Sequence, residues 1–523
     1  MARSSKIPLR VAIVGSGFSG IGMAIRLKQM GIASLTVYEA AVDIGGTWRD
    51  NAYPGSACDI PSHLYSFSFA PNPSWSRTFG AQHEILAYLK HCAREHGIEP
   101  LIRCNARVAA ARFDDDARIW RLDVVTTHSE PRDARHPLDD AAIFAPRATP
   151  VGAEAPGTSR ETVEVDVVIA ASGPLSRPAL PEIAGLERFR GARFHSARWD
   201  HTYPLEGKTV AVIGTGASAV QFIPHIQQRV AQLHVFQRTP PWIMPRPDRA
   251  IGKHVQRVFR HVPFAQRLAR WAIYWRHEAR ALAFIVNPKW MQAPMRFGLS
   301  YLERRVPDPA LRAKLTPGYL LGCKRVLLSS DYYPAITQPN VDVVTAPIRE
   351  IVADGLVTED GRHYRVDAII CGTGFQVADA GAPFPIIGAR GADLDARWRS
   401  DGPQAYLGTS IAGFPNFFMM VGPNTGLAHN SMIYMIESHV AYIASCLRTL
   451  RRRGARTMEV RADVERAFNE RLRNAFRGSV WMSGCRSWYL SKRGRNTALW
   501  PGFTFAFRQR TRRVHADDYE FGD

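Results

Sequence analysis

Leu9-Arg-Val-Ala-Ile-Val14-Gly15-Ser-Gly17-Phe-Ser-Gly20 sets a short β-branched run directly before a Gly-x-Gly-x-x-Gly loop. Such a run suits a buried parallel strand, and the loop opens a helix pattern over Ile21 to Met30 that Gly31 ends. Leu35-Thr-Val-Tyr-Glu39 then reads as the second strand of a βαβ unit. In that setting the glycines allow a tight turn and let backbone N–H groups approach a pyrophosphate at a helix N-terminus. An acid closing the second strand holds ribose hydroxyls, and Glu39 stands nineteen residues after Gly20.

A second copy follows at Lys208-Thr-Val-Ala-Val-Ile213, running into Gly214-Thr215-Gly216-Ala-Ser218-Ala219 and a helix pattern over about Val220 to Arg229. Its next strand, Leu233-His-Val-Phe-Gln237, ends in Arg238-Thr239 in place of an acid. A guanidinium with a hydroxyl suits a 2′-phosphate, so this site prefers NADP to NAD. Ala219 replaces the third glycine, a variant that loosens helix-to-strand approach slightly. Two strand patterns that end in glycine turns, Val163 to Gly173 and Tyr364 to Gly374, read as crossovers between the two units. The fold class expected is α/β with two Rossmann-like dinucleotide-binding domains and a helical insertion in the second. The expected division is 1–175 and 376–523 for one domain and 176–375 for the other, with the helical insertion at about 250–320.

A chain of 523 residues has room for two or three domains, and its 46% hydrophobic and 22% charged residues are those of a folded globular protein. Met1 to Arg10 carries no apolar signal core and no stretch is apolar for long enough to span a bilayer, so a cytoplasmic location is expected. The net charge of +20 is spread along the chain, denser at 448–456 and 508–513, and no nucleic-acid module accompanies it. Most of it reads as solvated charge, with a positive field that helps to collect anionic cofactors. Seven scattered cysteines, none in a CxxC pair, indicate no disulfide framework, zinc site or redox dithiol and read as buried small hydrophobes. Thr126 to Thr162, rich in Ala, Pro, Arg and Asp, reads as a surface insertion. Ile251 to Leu302 is helical in pattern, basic and aromatic (Trp271, Tyr274, Trp275, Trp290). It reads as a packed helical subdomain, with a lid or a membrane-contacting surface as the sharper alternative.

Two adjacent dinucleotide folds fit disulfide reductases, flavin oxidases and flavin oxygenases, and the absence of a close cysteine pair removes the first. Phe189-Arg-Gly191-Ala-Arg-Phe-His195-Ser-Ala-Arg-Trp199-Asp200 and Gly45-Gly46-Thr47-Trp48 with Tyr53-Pro54-Gly55 and Asp59 are similar to fingerprints of one family. By them the chain resembles the FAD- and NADPH-using Baeyer–Villiger monooxygenases of the flavin-containing monooxygenase superfamily, over nearly its whole length. The resemblance implies NADPH- and O2-dependent insertion of oxygen beside a ketone carbonyl through a flavin C4a-peroxide, giving an ester or lactone. Cys323-Lys324-Arg325 resembles the segment that delivers the catalytic arginine, a role this places on Arg325. A fixed cation there stabilises the anionic nucleophile and adduct, because an arginine keeps its proton.

The resemblance also implies that Asp59 positions Arg325 while lying by the flavin. It implies FAD contacts from Gly15, Gly17, Phe18, Gly20, Glu39, Gly46, Thr47, Trp48, Tyr65, Val108 and Met432. Gly214, Thr215, Gly216, Ser218, Gln221, Arg238, Thr239 and Lys324 are implied for NADP. Trp500 either caps the nicotinamide or fills the core, and Asn430 is a further flavin-side candidate. Phe189, Gly191, His195, Trp199 and Asp200 belong to the linker, where His195 is structural, Gly191 allows the turn and Trp199 anchors it. After Asp59 the chain reads Ile60-Pro61-Ser62 where some members place an acid before the Ser. No metal is expected.

The nearest rival is a flavin enzyme that oxygenates nitrogen or sulfur and needs no such arginine; some members of the family do both reactions, so a thioether is expected as a side substrate. The more distant rival is a non-catalytic flavin- or nucleotide-binding protein.

Overall fold

A computed structural model describes residues 8–128, 157–378 and 381–523. Most of the 126–162 insertion lies outside them. Its two ends do not read as loop: Thr126 and Thr127 pair with Ser159 and Thr158 as the last rungs of an antiparallel ladder. Those residues lack the hydrophobic alternation that marks a strand, which is why the sequence reading set the boundary inside it.

The first motif builds a five-stranded parallel sheet in the order Phe417–Met419, Val167–Ala170, Arg10–Val14, Ser34–Tyr38, Ile102–Arg103. Its outer strand on one side comes from late in the chain, so both ends contribute to one unit. Val11 and Ile13 are buried on one face and Ala12 and Val14 on the other, as a doubly covered sheet requires. The helix Phe18–Gln29 follows the first strand and packs against the long helix Met432–Arg453.

The second motif builds another five-stranded parallel sheet: Val341–Val344, Gln232–Phe236, Thr209–Ile213, Ala368–Cys371, Ala192–His195. Its helix is Ala217–Ile226. The fold is therefore mixed α/β with two Rossmann-type sheets. A four-stranded sheet, Ile386–Ile387, Ala106–Asp114, Ile119–Thr127 and Thr158–Val165, closes one side of the first unit.

The basic aromatic stretch forms helices Lys253–His261, Pro263–Ile285 and Gln292–Arg305. Although it departs from the second unit in sequence, the middle helix seats Tyr274 in the core of the first. Gln266 and Arg270 bond to His63, Ser66 and Asn72, and Glu278 to Asn430 and Thr504. These helices therefore bridge the units.

Candidate active site

The first loop is fixed by contact distances. A Cβ on Gly20 would lie 1.9 Å from the Gly15 carbonyl oxygen, so only glycine lets the helix come this close to the turn. Gly15 itself is left-handed, at φ +105°. Gly17 faces Gly46, whose own Cβ would come within 3.2 Å of the Gly17 Cα. Both nucleotide helices start on glycine with no side chain capping their first N–H groups, leaving those donors open to a phosphate. That is the cradle a dinucleotide needs, and the residues fit it.

Glu39 ends the second strand and is buried. It accepts from Ser16 N at 3.0 Å, Ser16 Oγ at 2.6 Å and Ala41 N at 3.0 Å, and pairs with Arg49 at 2.9 Å. Burial alone would raise its pKa, but Arg49 and the Ser16 and Ala41 donors outweigh burial and hold it low. Thr47 starts a one-turn helix. The Trp48 indole donates to the Tyr65 hydroxyl at 3.2 Å, and Phe18 meets the Tyr65 ring edge-on. Val108 is buried in the same core cluster as Val14 and Tyr38. Met432 opens the helix that Ser431 caps, directly after Asn430.

On the second loop, Gly214 repeats the left-handed turn at φ +105°. Ala219 is fully buried and its methyl occupies the space beside Gly372, where an added Cβ would come within 3.1 Å. The missing glycine is thus matched by one on the neighbouring strand end, and the approach stays tight. Thr215 is buried with its hydroxyl turned to the Thr239 carbonyl. Ser218 and Gln221 lie on the first turns of the helix. Gln221 accepts from the Tyr53 hydroxyl at 2.9 Å and donates to the Ala57 carbonyl, tying the Tyr53-Pro54-Gly55 loop to the second unit. A Cβ on Gly55 would meet the His225 ring at 2.3 Å. Arg238 is exposed, and its charge, after burial, pushes the Lys324 pKa down. Among the described residues neither cation has a carboxylate partner. Two unneutralised cations brought together fit a phosphate dianion.

Arg325 is the centre of the arrangement. Its Nε and Nη2 donate to the two Asp59 carboxylate oxygens, each at 2.7 Å, and Nη1 reaches the Leu427 carbonyl at 3.4 Å. The fork is therefore aimed by Asp59 and set against the Leu427 carbonyl. Asp59 raises the Arg325 pKa further. Tyr489 lies beside the guanidinium, its phenol pushed up to about 12 by burial.

The cysteine reading is corrected here. Cys323, next to Lys324 and Arg325, forms a disulfide with Cys485 across 162 residues of sequence. Spacing rules see only local pairs, so this bridge left no signal. It fastens the arginine-bearing loop to the segment that carries Tyr489. Cys58, Cys92, Cys371 and Cys446 are buried and free, as expected.

His195 is fully buried, accepts from Ala197 N through Nδ1 and faces Phe375; burial pushes its pKa down to about 4, which leaves it neutral. The Trp199 ring packs on Phe194 and Phe222, and Asp200 accepts from Thr202. Phe189 is buried. Gly191 is needed for space and not for a left-handed turn: a Cβ would strike the Asp367 carbonyl at 2.4 Å and the Phe189 ring at 2.5 Å. Trp500 lies in the core of the first unit with its Nε1 donating to the Phe503 carbonyl.

Sequence reasoning missed Arg49, Tyr489 and Glu278. Nothing local marks the first two. Glu278, the only acid between Asp248 and Glu303, carried a signal: a single carboxylate on a basic helix invites the question of its partners. Among the described residues no cluster suited to a metal occurs.

A family model described as an NAD(P)-binding Rossmann-like domain matches residues 13–81, and one described as flavin-binding monooxygenase-like matches 151–268. A Baeyer–Villiger monooxygenase of Pseudomonas aeruginosa is 45% identical over 98% of this chain and 91% of its own. Another, of Streptomyces coelicolor, is 45% identical over 98% and 92%. A crystal structure of OTEMO in complex with FAD and NADP superposes with a TM-score of 0.83 at 26% identity, covering 98% of this chain and 99% of the other. The chain belongs to the Baeyer–Villiger monooxygenase family.

Proposed function

We propose that the protein is an NADPH- and O2-dependent flavin monooxygenase that inserts one oxygen atom next to a ketone carbonyl, giving an ester or lactone. The observation that carries this reading is the Arg325 guanidinium, aimed by both oxygens of Asp59 and abutting Leu427. The likeness to a structure holding FAD and NADP supports both cofactors. When bound, FAD would supply the redox chemistry that couples NADPH oxidation to oxygen transfer.

The chain's own residues supply position and charge. FAD would lie along the Gly15–Gly20 loop, with Glu39 at its ribose and Gly46, Thr47, Trp48, Tyr65, Val108 and Met432 around it. NADP would lie along Gly214–Gly216, with Arg238, Thr239 and Lys324 at the 2′-phosphate. Arg325 stabilises negative charge as it develops on the reacting oxygens, and it does so without reorganising because Asp59 has already fixed it. Asp59 is a positioning residue for Arg325. The neutral His195 and the packed Trp199 hold the edge strand Ala192–His195, where the chain passes between the units.

The domain division that follows is an FAD unit from 1–175 and 376–523 and an NADP unit from 176–375. A thioether is a side substrate in this reading, a peripheral membrane contact through the helical segment is a further interaction, and the location is cytoplasmic. The test is NADPH oxidation against a panel of ketones with product analysis. An ester or lactone formed in step with NADPH supports the reading, whereas NADPH oxidation that yields only hydrogen peroxide with every ketone overturns it.

A further inference from the structure

The helix Pro263–Ile285 carries large apolar side chains on its outward face as well as on the face it buries. Its inward face buries Gln266, His277 and Glu278, with Tyr274 stacked on Tyr434 at 4.8 Å between centroids. Its outward face carries Phe264, Leu268, Trp271, Trp275 and Leu282, continued by Val286 at the C-cap, all between 41 and 72% exposed. They recur at intervals of three, four and seven residues, which puts them in one stripe. At 1.5 Å per residue it runs for roughly 33 Å. Trp275 extends it sideways onto Phe505, itself exposed, at 6.0 Å. A stripe of this length is more than a scatter of surface hydrophobics and calls for a partner.

The flanks say which partner. Lys253, Arg257, Arg260, Arg267, Arg276 and Arg280 are exposed on this helix and on Lys253–His261 before it. The one acid of the two helices, Glu278, is buried under hydrogen bonds from Asn430 and Thr504. A second copy laid on the stripe would set cation against cation. Duplex nucleic acid would satisfy the arginines but leave Phe264, Leu268 and Val286 against a charged backbone. An anionic bilayer surface takes both: indole, phenyl and leucyl groups enter the headgroup and acyl boundary, and the basic rim meets lipid phosphates. Among the described residues no helix is long and apolar enough to cross a membrane, so the helix lies along the surface.

We infer that the exposed face of Pro263–Ile285 docks on an anionic lipid surface with the helix in the plane of the interface. This deepens the membrane contact named above and does not depend on which ketone reacts. The inward face of the same helix covers the 429–434 segment, so a docked enzyme presents its site cover to the membrane.

The experiment is co-sedimentation of the FAD-loaded protein with vesicles of phosphatidylglycerol and phosphatidylcholine, against phosphatidylcholine alone. Binding is expected to the anionic vesicles and to weaken as salt is raised. Leu268→Glu with Trp271→Glu, and separately Arg267→Glu with Arg276→Glu, should each weaken it at least about tenfold, while turnover of a water-soluble ketone stays unchanged. Failure of wild type to bind, retention of binding by both double variants, binding to duplex DNA alone, or dimerisation through the stripe would overturn the inference. Binding is read without turnover, so its failure and a failure of the oxygenase reading are separate results.

Discussion

Replacing Asp59 by Asn keeps the side chain's shape and removes the charge that aims Arg325. Two contacts at 2.7 Å hold the guanidinium, and the partners are 28% and 26% exposed, so solvent screens the pair only partly. A hydrogen bond to a charged group contributes about 1.5–3 kcal/mol. Asn keeps one acceptor but turns an NH2 group toward N–H donors, so the fork loses its second anchor. If about 2–3 kcal/mol of that is felt only in the oxygen-transfer transition state, product formation slows roughly 30- to 150-fold. The assay separates the steps. Anaerobic reduction of the bound flavin by NADPH, followed by absorbance, is expected to match wild type, and ester or lactone formed after admitting O2 and ketone is expected to fall. Asp59→Asn combined with Arg325→Ala should be no slower than Arg325→Ala alone, because the carboxylate acts through the arginine. Wild-type product formation by Asp59→Asn, or a further full loss in the double variant, refutes the reasoning.

Arg238→Ala should raise the Michaelis constant for NADPH by roughly 30-fold, the equivalent of ~2 kcal/mol, and leave that for NADH unchanged; equal effects on both would remove the 2′-phosphate assignment. Cys485→Ser opens a crosslink spanning 162 residues, for which chain entropy sets a ceiling of about 5 kcal/mol, so the thermal midpoint should fall and wild type should lose stability in reductant. A midpoint indifferent to both changes contradicts a stabilising bridge. His195, His277, His429 and His439 are held near pKa 4 by burial, against 6.5 in the unfolded chain. Between those values the unfolded state binds more protons, so stability is full above about pH 6.5 and declines toward pH 4. Thermal unfolding that stays flat across that window would count against neutral buried imidazoles.

The sequence announced those features whose causes are local. The glycine loops were legible because turn and helix start lie within a few residues, and Glu39 and Arg238 because they end strands whose pattern is short and apolar. Arg325 and Asp59 were named through a family resemblance, and 266 residues separate them, so no spacing rule could have joined them. The bridge Cys323–Cys485 and the phenol of Tyr489 escaped for the same reason. Arg49 escaped because its value depends on where Glu39 is buried, a fact of packing. Gly191 was read as allowing a turn, but its constraint is the Asp367 carbonyl and the Phe189 ring, and the carbonyl comes near only in the assembled fold. The helix Pro263–Ile285 was legible as basic and aromatic, but period alone does not say which face meets the core.

The most direct test of the central claim is a turnover in isotopically heavy O2 with NADPH and a ketone, read by mass spectrometry of the product, with Arg325→Ala beside wild type. The account predicts an ester or lactone carrying one heavy oxygen atom per NADPH oxidised, and a variant whose flavin is still reduced but which forms that product far more slowly. Labelled hydrogen peroxide as the sole product of wild type, or undiminished ester formation by Arg325→Ala, would contradict it.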